Sequence, residues 1–150
     1  TANGEKTGAT QTNVNWYTLY KNCTTLAVGS KVKTRMIWGL QWDATCNWLA
    51  SSGFSITDSR TWGNYSNNTA DGHGSKQNTG YSENWKANNI YDFAGNCREL
   101  TQEADSTDAR VVRGGSYRTV TSDPASGGAS SITTNIYSDY SSRPTLYLIP

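Results

Sequence analysis

Asn89-Ile-Tyr-Asp-Phe-Ala-Gly-Asn-Cys-Arg-Glu99 is a short run centred on a glycine, and Arg110-Val-Val-Arg-Gly-Gly-Ser116 is a buried-strand pattern that stops on two glycines. Two glycines after a strand let the backbone turn through a tight bend, and no ligand is needed to explain them. Upstream lies residues 55–89, a tract of Asn, Gly, Ser and Thr that carries Trp62, Tyr65, Tyr81 and Trp85. A loop that long inside a compact domain is typically functional or metal-pinned, and its aromatics predict that it packs down rather than floats. Residues 1–12 are polar and predict an extended or frayed arm. Trp16, Leu19, Tyr20 and Cys23 fall on one face of a helix, with Asn13 or Asn15 as its N-cap. Residues 31–38 read as a strand, with Lys31, Lys33 and Arg35 on a solvated face. Trp38, Trp42, Thr45, Cys46 and Leu49 share a face of a second helix that ends at Gly53. Downstream, 117–143 reads as loop and 145–148 as a closing strand. No internal repeat is present. The fold class is α+β: two early helices, short antiparallel sheets and long loops.

The 150 residues predict a single domain over 1–150. The net charge is +1, which argues against a nucleic-acid partner. Mean hydropathy is −0.69 and no apolar run approaches ~18 residues, so no membrane insertion is expected. The chain opens without the charged-then-apolar pattern of a signal peptide. Only 17% of residues are charged, yet 9 Tyr and 6 Trp stand against 2 Phe. Tyr, Ser, Asn and Gly are the residues of adaptable binding loops. Metal and catalytic chemistries are short of residues. His73 is the single histidine and sits in a Gly- and Ser-rich stretch, where it reads as a solvated loop residue. Cys23, Cys46 and Cys97 form no CxxC and read as buried free thiols, with one disulfide left open.

The Asn89–Glu99 sequence resembles the N-x-Y-D-M-x-G-N-V-W-E-W signature of the formylglycine-generating-enzyme (sulfatase-modifying-factor) family. Arg110-Val-Val-Arg-Gly-Gly-Ser116 resembles its R-V-x-R-G-G-S-W. Ser142-Arg-Pro-Thr-Leu-Tyr-Leu148 resembles its closing G-F-R strand, and Met36-Ile-Trp-Gly-Leu-Gln-Trp-Asp43 stands where that family has a helix entry. The resemblance implies a C-type-lectin-like fold. It does not carry over catalysis, because the oxidase's paired cysteines after R-G-G-S and the three-histidine iron site of its relatives are both missing here. Cys97-Arg98-Glu99-Leu100 also departs from V-W-E-W. The expectation is therefore a non-enzymatic binding scaffold. A divergent oxidase is the competing class, and a structural virion or surface domain without a ligand is the third.

The chain also resembles the variable proteins of diversity-generating retroelements, the phage major tropism determinant among them. They use this fold and diversify a C-terminal segment that begins near R-G-G. Adenine-directed mutation of AAY codons cannot reach Lys, Glu, Gln, Met or Trp. Those types make up 21 of the 150 residues, and 117–143 contains none. A random stretch of that length lacks them about 2% of the time on composition. An ordinary Ser/Thr-rich loop is the competing explanation.

The ligand-binding expectation therefore falls on this segment. Tyr117, Tyr137 and Tyr140 supply rigid amphipathic area. Arg118, Asp123 and Asp139 supply charge. Thr119, Thr121, Ser122, Ser130, Ser131, Thr133, Asn135 and Ser138 supply short hydrogen-bonding groups. Val120, Ile132 and Ile136 are expected in the core. The partner implied is a cell-surface protein or glycan receptor, in a virion-associated or extracellular setting, with oligomeric state open. No cofactor is required. The formylglycine-generating resemblance does imply a calcium site, with side-chain oxygens from Asp92 and Glu99 and carbonyls from Gly95 and Cys97. The alternative is that both carboxylates cap the turn and pair with Arg98 or Arg113.

Overall fold

The structure is a computed structural model that describes residues 10–26, 29–68, 72–120 and 123–149. Helix α1 spans Trp16–Thr24, and its N-cap is Asn15, whose side chain accepts from the Thr18 N–H at 3.1 Å. Of the helix's predicted face, Trp16, Leu19 and Cys23 are buried, and Tyr20 stacks on Trp16 at 4.9 Å. Strand β1 (Val32–Met36) leads to helix α2 (Gly39–Ser51). Trp42, Cys46 and Leu49 are buried on α2 as expected. Trp38 is not. It is the N-cap residue, 48% exposed, and the preceding Ile37 takes its place in the core.

The long polar tract does pack down. It holds two short 3-10 turns, Arg60–Trp62 and Glu83–Trp85, and β2 (Lys86–Ala87), which pairs with β3 (Ile90–Tyr91) just beyond the tract. Trp62, Tyr65 and Trp85 are buried there, while Tyr81 is exposed. Strands β4 (Arg98–Ala104) and β5 (Ala109–Arg113) follow. The segment 117–143, expected as loop, contains two further strands, β6 (Gly128–Ile132) and β7 (Tyr140–Ser142). They were hidden because neither strand has much intrinsic β signal, and β5 and β4 supply the pairing. Strand β8 (Pro144–Leu148) closes the chain against β1. The main sheet has order β6-β5-β4-β7, with β7 parallel to β4 and the other pairs antiparallel. It is therefore mixed rather than wholly antiparallel.

One core cluster lies around Trp42, Trp62, Tyr65 and Phe93, and another around Trp16, Leu19, Met36, Leu100 and Val112. The Asn89–Glu99 stretch joins the polar tract to the sheet. Gly95 donates to the Gly114 carbonyl at 2.7 Å and has φ +70°; a Cβ there would lie 2.2 Å from the Asn64 carbonyl oxygen. Only glycine fits that approach. The glycine of the first motif and the first glycine of the second are thereby locked together.

Candidate ligand-binding surface

The 117–143 segment is held at a few buried pins and exposed between them. At its start, Gly115 has φ +68° and a Cβ there would lie 2.2 Å from the Asp123 carbonyl oxygen. Ser116, fully buried, donates from Oγ to Asp139 Oδ2 at 2.9 Å, tying the start of the segment to its end. The next pin is Ala125, also fully buried. Its carbonyl accepts from the Trp42 indole N–H at 2.8 Å, and its N–H donates to Ser59 Oγ at 2.9 Å. Ser59 is bonded in turn to the Tyr65 hydroxyl, which donates to the Gly114 carbonyl at 3.0 Å. Burial pushes the Tyr65 hydroxyl well above the ordinary tyrosine range, so it stays a donor.

Ser131 and Thr133 form a third pin, and here the sequence expectation needs correcting. Both were assigned to the ligand face, yet both are buried, at 6% and 2% exposure. Ser131 hydrogen-bonds the Tyr140 hydroxyl, and the Thr133 carbonyl accepts from the Trp16 N–H at 3.1 Å. Val120, Ile132 and Ile136, expected inside, are exposed at 49%, 47% and 60%. The alternation of β6 explains the exchange between Ser131 and Ile132. Its inward side chains lie against Trp16 and Tyr140, whose rings leave room only for small groups such as Ala129 and Ser131. Ile132 is turned out with Gly128 and Ser130.

Arg98, at the head of β4, organises the rest. Its side chain forms an ion pair with Asp123, its N–H donates to the Asp139 carbonyl at 2.8 Å, and it is the register partner of Tyr140. Tyr140 is half-buried, and burial raises its hydroxyl pKa. Its ring lies 4.4 Å from that of Tyr137, which is 40% exposed and accepts from Asn135 Nδ2 at 2.9 Å. Tyr117 is half-buried; its N–H donates to the Asn96 carbonyl, and Arg118 reaches back to its hydroxyl at 2.8 Å. Thr119 is engaged internally, with its Oγ1 on Ser116. Ser130 and Arg118 are exposed, and Ser138 is half-buried. Thr121 and Ser122 lie outside the described residues.

Arg98 connects Asp123, Asp139 and Tyr140 and was not among the expected ligand-binding residues; its departure from the V-W-E-W pattern was the available signal. The surface offers aromatic faces, the exposed Arg118 guanidinium lying over the Tyr117 ring and short hydroxyl groups, which suit hydrogen bonding and contact. His73 is exposed, as expected. All three cysteines are buried and unpaired.

The residues expected at a calcium ion are differently arranged. Both Glu99 oxygens accept from the Arg143 guanidinium, at 2.7 and 3.0 Å. Asp92 Oδ2 accepts from the Gly80 N–H at 2.9 Å. Among the described residues no group of three or more His, Cys, Asp or Glu is placed to hold a metal. Arg143 stands where a cation would be needed, so the residues as placed do not fit calcium, which takes at least six oxygens. The alternative pairing is also corrected. Arg98 pairs with Asp123, and Arg113 pairs with Glu103 and Asp43; Glu99's partner is Arg143.

Compared by sequence, the chain matches no protein-family model and no curated protein. Compared by structure, it is similar to Treponema denticola variable protein 1, with a TM-score of 0.65 and 18% identity over 97% of this chain and 72% of that one. The chain therefore has the α+β, C-type-lectin-like fold of that variable protein.

Proposed function

We propose that the chain is a non-enzymatic ligand-recognition domain whose 117–143 segment is a retroelement-diversified surface for a cell-surface protein or glycan receptor, carried on a virion or at a cell surface. The observation that carries this reading is the division of the segment into pins and spans. Ser116, Ala125, Ser131, Thr133 and Ser141 are buried, while Arg118, Ser130, Ile132, Ile136 and Tyr137 are exposed between them. A scaffold built so can change its displayed side chains without disturbing its core. An exposed Tyr or Arg of this kind contributes about 2 kcal/mol or more once a partner desolvates it. The fold shared with a variable protein and the absence of Lys, Glu, Gln, Met and Trp from the segment support the same reading.

Sequencing the 117–143 codons across the descendants of one clone, together with the neighbouring DNA, tests it. The expected result is retained substitutions at adenines, concentrated at the exposed positions and sparse at the pins, with a near-copy of the stretch beside a reverse transcriptase. A uniform segment with no copy would remove the diversification. Burial of the exposed residues against a second copy of the chain would make the surface structural.

A further inference from the structure

The outer edge of β6 is open. Thr133 donates to the Asp108 carbonyl at 2.8 Å, one step beyond the ladder that pairs β6 with β5 from Ala109↔Ile132 to Arg113↔Gly128. In an antiparallel ladder the N–H and C=O of one residue point to the same side, and successive residues alternate. The groups of Ala129 and Ser131 therefore point at β5, and those of Gly128, Ser130 and Ile132 point away from it. The Ile132 carbonyl accepts from the Asn135 N–H at 3.1 Å. The remaining groups, the N–H of Gly128, Ser130 and Ile132 and the C=O of Gly128 and Ser130, have no partner among the described residues. All three residues are exposed.

A row of unpaired backbone groups is a template for another strand, and proteins ordinarily blunt it with charge, proline, a bulge or a cover. The other edges here are blunted. β1 carries Lys33 and Arg35, and β8 opens on Pro144. β7 has three residues and lies against α1, with Ser142 Oγ 3.2 Å from Cys23 Sγ. β6 has no charged residue and no proline, and its register with β5 runs without a shift. It also lies inside the 117–143 segment. Its outward side chains leave space at Gly128 and present an apolar group at Ile132, 47% exposed. The free donors and acceptors recur every second residue, about 6.8 Å apart, which is the repeat of an extended polypeptide. The hydroxyl groups of a glycan have no such repeat.

We propose that the partner is a protein that lays an extended segment antiparallel on β6, adding a strand to the main sheet, with an apolar side chain against Ile132. Main-chain pairing supplies affinity, and the variable side chains beside it select the partner. This inference rests on reading 117–143 as the recognition surface and narrows its receptor to a polypeptide.

Titration of the intact chain with the peptide acetyl-Glu-Val-Thr-Ile-Thr-Val-Glu-amide, followed by amide chemical shifts and hydrogen exchange, tests the proposal. Saturable binding is expected by about 1 mM peptide. Exchange at Gly128, Ser130 and Ile132 slows at least about tenfold, while Ala129 and Ser131, already bonded to β5, change little. N-methylation of the peptide's Val and Ile nitrogens, which face β6, weakens binding at least about tenfold, and N-methylation of its Thr nitrogens, on the far edge, does not. Ser130→Pro removes an outward N–H that the fold does not use and weakens binding to the same extent, whereas Ser130→Ala does not. The methylated peptides decide the matter even if Ser130→Pro does not fold. The proposal is overturned if no saturable binding occurs, if the peptide methylated at Val and Ile binds as well as its parent, or if the Gly128, Ser130 and Ile132 amides gain no protection. Failure of the diversified reading looks different: a segment with uniform codons that still protects these amides removes diversification and leaves strand pairing, and a varied segment that binds no extended peptide does the reverse.

Discussion

The Arg143 guanidinium grips Glu99 with both prongs, Nη2 to Oε1 at 2.7 Å and Nε to Oε2 at 3.0 Å, and its Nη2 also donates to the carbonyls of Tyr91 and Asp92. One side chain at the end of β7 thus fastens the central motif to the last ribbon. Glu99 is buried, and burial pushes its carboxyl up while the guanidinium opposes this. Arg143→Ala leaves that carboxylate without its partner. The expected loss of stability is about 3–5 kcal/mol, read by urea denaturation. Arg143→Lys recovers only part of it, because an ammonium lacks the planar fork. If Arg143→Ala costs under about 1 kcal/mol, the grip is not what joins the two regions.

Calcium should do little to this protein. A guanidinium already neutralises Glu99, and one Asp92 oxygen is taken by Gly80. Adding millimolar calcium or a chelator is expected to leave Tm unchanged. Stabilisation by a site occupied at 100 times its Kd would be about 2.7 kcal/mol, which for a chain of this size is several degrees and easily seen. A rise of that kind would mean that Arg143 gives way to the ion.

Much of the fold could be read locally. The α1 face from Trp16 to Cys23, the Asn15 cap, the α2 face from Trp42 to Leu49 and the strand ending at Gly114 each have a short-range pattern, and each is found where expected. The pairings that were missed are long-range. β7 pairs in parallel with β4 across 42 residues, as Arg98 with Tyr140. Glu99 meets Arg143 across 44. No local pattern marks either. Ile132 and Ile136 were assigned inward because apolar residues usually face the core, a one-way rule that leaves much of a folded surface apolar. The segment's position was legible from composition; its division into pins and spans was not, because that depends on the rings of Trp16 and Tyr140 filling the space beneath β6.

The pH dependence should carry the mark of Asp92. Burial pushes its carboxyl up to about 6, from 3.8 for a free carboxyl. The native state then holds the proton more tightly than the unfolded chain. This group's contribution to stability is complete below about pH 3.8 and is lost as pH rises through about 6. Asp92→Asn removes the titration. The difference in unfolding free energy between the native sequence and the variant should therefore move in the variant's favour as pH is raised from 4 to 7. A difference that is flat across this window would place the Asp92 carboxyl near its ordinary value.

Trp42 pins the middle of the displayed segment from the far side of the core. Its ring stacks on Phe93 at 3.9 Å and its N–H meets the Ala125 carbonyl at 2.8 Å. Trp42→Phe removes the indole N–H from that carbonyl, leaves it the weak Cys46 thiol donor at 3.8 Å, and opens a void where the larger ring lay. The expected cost is about 2–4 kcal/mol, with faster amide exchange at Ala125 and Ser126.

Substitutions on the displayed face should behave differently. Arg118, Ile132, Ile136 and Tyr137 are exposed, and none is a buried member of either core cluster. Replacing each with Ser or Asn should change stability by about 0.5 kcal/mol or less, and well-separated sites should add. Tyr137 has the most to lose, through its ring contact with Tyr140 and its bond from Asn135. Thr133→Val keeps the volume but removes the hydroxyl, whose partner is the Tyr17 hydroxyl at 3.4 Å; Ser131→Leu forces a large group under β6 and should cost about 1–3 kcal/mol. Thermal denaturation of a library randomised at the four exposed positions, against one randomised at Ser131 and Thr133, makes the comparison directly. The first should keep a Tm near that of the native sequence in most members, and the second should lose it in most. Equal tolerance in the two libraries would mean that the buried pins do not set the shape of the segment, and the surface would then have no fixed scaffold on which to vary.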